Sequence, residues 1–105
     1  MDFKRFKPKT PTFVSNAYTV HEPNEFLLVD TGAGLTLTVT LRANPEDGEE
    51  FYLFCWAGTG GTAIQPATGG VYISKTPTTP VGVGGNGSIH LIFSAELASW
   101  LQLYP

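Results

Sequence analysis

Residues 35 to 41 read Leu-Thr-Leu-Thr-Val-Thr-Leu, with an aliphatic residue on every odd position and threonine on every even one. A period of two is the side-chain period of an extended strand, whereas a helix would scatter those aliphatic residues around its axis. The segment therefore predicts a strand with one face in a core and the other in water. Nothing else in the chain constrains the fold as sharply.

Shorter extended pieces surround it. Thr12-Phe13-Val14, Tyr18-Thr19-Val20 and Glu25 to Asp30 precede it, and Phe51 to Trp56 follows. Ala63 to Pro66, Val71 to Ser74, Ser88 to Phe93 and Ala98 to Tyr104 complete the series. Between them lie turn-forming segments such as His21-Glu22-Pro23-Asn24, Arg42 to Glu50, Gly58 to Gly61 and Gly84 to Gly87. Twelve glycines and eight prolines punctuate the chain too often for long helices. The expected fold is all-β: a single antiparallel β-sandwich or barrel-like domain of about eight short strands over residues 12–105.

Only 14% of residues are charged, against roughly 25% in an ordinary soluble domain. Such a surface must be covered by Thr, Ser, Gly and Asn, or by a partner. Phe51-Tyr52-Leu53-Phe54-Cys55-Trp56 is apolar on both of its faces, so the face turned from the core also needs cover. Tyr52, Phe54 and Trp56 share that face and are the expected oligomer interface. Cys55 has no second thiol to pair with and reads as a small buried hydrophobe.

The net charge of −3 is unevenly spread. Lys4, Arg5, Lys7 and Lys9 supply four of the six basic residues, leaving Arg42 and Lys75 against eight acidic residues beyond Asp2. Residues 1–11 thus form an extended basic arm ahead of an acidic body. Lys4, Arg5, Phe6, Lys7 and Lys9 are expected to dock on an acidic surface. The acidic body would repel phosphates, which argues against nucleic acid. No apolar run approaches the ~20 residues needed to cross a bilayer as a helix, and no apolar core of a signal peptide follows the N-terminus.

Leu27-Leu28-Val29-Asp30-Thr31-Gly32-Ala33-Gly34 raises a different possibility, because an apolar run ending in Asp-Thr-Gly-Ala opens the active-site loop of aspartic proteases. Such chemistry needs two carboxylates sharing a proton, so a chain with one motif would have to dimerise and use Asp30 twice. Gly34 stands where those enzymes usually carry a small polar or acidic residue, and the chain continues as an amphipathic strand. A turn between two strands accounts for the same residues. Other sites are no stronger. A Ser88, His90 and Asp30 triad has nothing in sequence to assemble it. Glu46, Asp47, Glu49 and Glu50 lack the oxygen spacing of a calcium loop and read as a solvated charged turn. His90 alternates with Ile89 and Leu91 and points away from the core. Neither an enzyme activity nor a metal or cofactor is expected.

Taken together, Ala17-Tyr18-Thr19-Val20, then "EFLLVDTGAGLTLTVTLRANPEDGEEFYLF", then "GGNGSIHLIFSAELASWLQLY" resembles small β-structured modules of tailed bacteriophage virions. Arg42 is a departure, since the phage pattern often has Pro there. The resemblance implies a virion structural protein, found in such families as a capsid decoration protein or as a tail fibre or spike module, commonly a homotrimer. A chain of this length beginning with Met suits capsid decoration, with the arm contacting the major capsid protein after assembly in the host cytoplasm. The alternative within virions is a receptor-binding tail or baseplate module whose exposed Trp or Tyr stacks on host glycans.

Overall fold

Among the described residues the apolar alternations become strands, but up to β9 successive strands do not lie side by side. The computed structural model describes residues 12–32, 34, 36–67, 72–73, 81–84 and 87–103. Within them run β1 (Thr12–Val14), β2 (Tyr18–Thr19), β3 (Phe26–Asp30), β4 (Leu37–Thr40) and β5 (Glu50–Ala57). β6 (Thr62–Gln65), β7 (Tyr72–Ile73), β8 (Val81–Val83), β9 (Ser88–Ser94) and β10 (Ser99–Leu103) follow. β2 and β7 are two-residue pairings; the other eight run to three residues or more. β8 has no counterpart among the expected strands. No helix occurs among the described residues, so the all-β class holds.

The strands form two sheets. The first has the order β1-β3-β5-β9-β10-β7 and the second β2-β4-β6-β8. From β1 to β9 the chain changes sheet at every step, so β1, β3 and β5 are neighbours in one layer while β2, β4 and β6 are neighbours in the other. Because each returns after crossing to the opposite layer, these neighbours are parallel. The expected antiparallel arrangement is therefore corrected. Parallel strands require a crossover, usually a helix, and here the crossover is a strand of the other sheet. Antiparallel pairing is confined to β5 with β9, β9 with β10, and β6 with β8. Turn residues alone do not distinguish a hairpin from a crossing between layers.

The two layers close on one core. Leu27, Val29, Leu53, Cys55, Leu91 and Trp100 enter it from the first sheet, and Val39 and Ile64 from the second. Each large aliphatic side chain so buried contributes roughly 1.5–3 kcal/mol. Cys55 is fully buried with its Sγ 3.1 Å from Thr62 Oγ1, a contact that joins the layers.

The links from β3 to β4 and from β5 to β6 stack on each other. Thr31 N–H donates to the Ala57 carbonyl at 3.2 Å and Thr59 N–H to the Gly32 carbonyl at 2.8 Å. Gly34 N–H donates to Thr59 Oγ1 at 3.0 Å. Gly58 sits inside this corner at φ +95°, where a Cβ would lie 2.6 Å from Gly32 N. Only glycine permits both the dihedral and the approach.

Two polar pairs seat the β2–β3 and β4–β5 links. Arg42 donates to both oxygens of Glu49, whose side chain is only 2% exposed, with Nη2 to Oε1 at 2.6 Å. Glu49 is thus a buried anchor and not part of a solvated turn, and Arg42 explains itself as its partner. Tyr18 donates its hydroxyl to the buried Glu25 carboxylate at 2.9–3.0 Å. Burial pushes the Tyr18 phenol up to about 12, and the Glu25 hydrogen bond acts in the same direction.

Two outcomes follow for stability. Gly58→Ala is expected to lower unfolding free energy by about 2 to 4 kcal/mol, from strain and overpacking together. Gly48→Ala, also at positive φ but facing open space, is expected to cost about 1 kcal/mol. Urea titration of the two variants measures the difference. The Tyr18 phenol is held neutral in the fold, so its stabilisation is present below the ordinary tyrosine value and is lost as pH rises through about 12. Thermal unfolding of the parent should fall more steeply between pH 10 and 12 than that of Tyr18→Phe.

Candidate functional site: the outer face of the six-stranded sheet

Alternation along β5 buries Phe51, Leu53 and Cys55 and turns Tyr52, Phe54 and Trp56 outward. Those three side chains are 38%, 37% and 49% exposed. The expected face is therefore present on β5, and the strand register extends it across the sheet. Phe13 of β1, Leu28 of β3 and Phe54 of β5 form one cross-strand row. Phe26, Tyr52, His90 and Leu103 form the next. Ile92 and Leu101 continue the face beside Glu50.

The aromatic groups on this face touch. Tyr52 and His90 stack with ring centroids 3.8 Å apart and planes 15° from parallel. Phe26 leans on Tyr52 at 6.0 Å, and Phe13 meets Trp56 edge to face at 6.2 Å. His90 Nε2 lies 2.8 Å from Glu50 Oε1, so the carboxylate in this part of the face is engaged. Burial raises the Tyr52 phenol above its ordinary value, and the Glu50 charge adds to the rise.

The outer face of the second sheet is different in kind. Thr19, Thr38, Thr40 and Gln65 point away from the core there, and Gln65 Nε2 donates to Thr40 Oγ1 at 3.1 Å. One outer surface is thus polar and the other apolar. The threonine alternation in the sequence announces the first. Phe26, Leu28, Ile92, Leu101 and Leu103 carry the second, and their role is visible only once register places them beside β5.

The sequence candidates for chemistry are engaged separately. Asp30 Oδ1 accepts the Gly32 N–H at 2.9 Å, closing a short side-chain-to-backbone turn at the end of β3. His90 is bonded to Glu50, so Ser88, His90 and Asp30 do not form a relay. His21 Nδ1 lies 3.0 Å from the Thr19 carbonyl. Glu46, Asp47 and Glu50 border a shallow acidic depression with Pro23 and Asn24. No group of three or more metal-ligating side chains occurs among the described residues. Lys4, Arg5, Phe6, Lys7 and Lys9 lie outside the described residues. Comparison with known protein families, curated proteins and solved structures finds no match to this chain.

The Asp30 geometry separates the turn from catalysis. Asp30→Asn keeps an acceptor for Gly32 N–H and is expected to unfold within about 0.5 kcal/mol of the parent. Asp30→Ala removes the acceptor and is expected to cost about 1 kcal/mol. Denaturation of both variants, beside an acid-proteolysis assay of the parent, checks the assignment. Cleavage by the parent that Asp30→Asn abolishes would restore the catalytic reading.

Proposed function

We propose that this chain is a structural protein of a bacteriophage virion, a homotrimeric capsid decoration protein that stabilises the head. The observation that carries the reading is the apolar outer face of the first sheet, on which Phe13, Tyr52, Phe54 and Trp56 stand exposed. An aromatic surface of this kind suits burial in an assembly. The strand-and-turn resemblance to phage modules supplies the biological setting. The basic arm, with Lys4, Arg5, Phe6, Lys7 and Lys9, anchors the trimer on the major capsid protein. Decoration acts by burying surface across neighbouring capsid subunits, which favours the closed shell by mass action.

Co-sedimentation with undecorated heads of the phage that encodes the chain tests this role. The full chain is expected to pellet with heads and to raise their resistance to heat. A chain starting at Thr12 is expected to keep its strands by circular dichroism and to lose at least tenfold in head affinity. Failure of the full chain to bind heads, or binding to host glycans instead, overturns the decoration role.

A further inference from the structure

The asymmetry between the two outer surfaces says more than that some surface is sticky. We infer that the whole outer face of the first sheet, from Phe13 on β1 to Leu103 on β10, is a contact between copies of this chain. The inference rests on the assembly reading above and deepens it by naming the occupant and the extent of the contact.

Area favours a second copy. An aromatic side chain offers ~150–250 Å². At the exposures of Phe13, Tyr52, Phe54 and Trp56, the four leave on the order of 400 Å² of aromatic surface open. That is about half of the ~800 Å² each partner brings to a stable interface. The partly exposed Phe26, Leu28, Ile92 and Leu101, with Leu103 at the far side, extend the same face across five strands.

Charge points the same way. The body is acidic, so two copies attract only through a surface that presents no opposed carboxylates. Here Glu50 is bonded to His90 and Asp30 to its own turn, which lets a neighbouring copy approach. Topology limits the outcome: the opposite surface carries Thr38, Thr40 and Gln65. A chain with one apolar sheet face and one polar one closes when one part of the apolar face packs on a different part of the next copy's around a threefold axis, whereas two apolar faces would propagate stacking.

The two tryptophans provide the readout, because Trp100 is 1% exposed and Trp56 is 49% exposed in the single chain. Acrylamide quenching of the full chain is compared with Trp56→Phe, which reports Trp100 alone. The expected result is that Trp56 becomes several-fold less quenchable as concentration rises, in step with a rise in sedimentation coefficient. Phe54→Lys should remain monomeric with Trp56 open to quencher. Phe13→Lys, at a 70% exposed edge position where folding is least at risk, should weaken association at least tenfold. A chain that stays monomeric with Trp56 open at all concentrations overturns the inference. So does a monomer whose Trp56 is protected throughout, since a segment of the same chain then covers the face. Self-association without head binding would leave this inference standing and remove the decoration role. Head binding by a monomer would do the reverse.

Discussion

The corner where Gly58 lies against Thr31 and Gly32 is the contact on which the rest of the arrangement depends. Two links, one leaving β3 and one leaving β5, pass over each other there with no room for a Cβ. The stacking carries the chain out of one sheet and into the other, and it repeats the crossing at matching height. Thr31 N–H to Ala57 O extends the β3–β5 pairing on one side of it, and Leu37 N–H to Gly61 O the β4–β6 pairing on the other. Parallel pairing of β3 with β5 and of β4 with β6 is the consequence. Thr31 Oγ1, buried at this corner, has no hydrogen-bond partner, a cost borne where the links are tightest.

From that winding the surface follows. A chain that alternates between layers gives each sheet one face toward the common core and one away from it. In the second sheet the outward positions are mostly threonine with Ala63 and Gln65, and in the first aromatic and aliphatic residues dominate around Asp30, Glu50 and His90. The first sheet also gains β9 and β10, which join antiparallel and widen it beyond the second. The apolar face is therefore broad as well as unmatched. Glu50 and His90 are bonded to each other beside the Tyr52 stack, so that carboxylate is engaged.

Much of this is written plainly in the residues. The alternation at Leu37 to Thr40 fixes which side of β4 faces inward, and the two-sided apolar run at Phe51 to Trp56 requires cover on both sides. Strand directions are not legible in the same way, because Asp-Thr-Gly and Gly-Thr-Gly serve a hairpin and a layer crossing equally well. What decides between them is the approach of Gly58 to Gly32, a contact between positions far apart in sequence. The outer face was readable on one strand only: Phe26 and Leu28 look like ordinary core until β3 is placed beside β5. Arg42 and Glu49 show the same limit, since an acidic turn in sequence becomes a half-buried ion pair only when its partner is found.

Light scattering of the purified full chain across a hundredfold range of concentration reads whether the apolar face joins copies. The expected species has three protomers, each of 11.3 kDa, and dissociates only on dilution. A mass of one protomer throughout the range would contradict it, for the apolar face would then stand open or be covered from within the chain. A dimer would keep the self-association face and remove the threefold assembly.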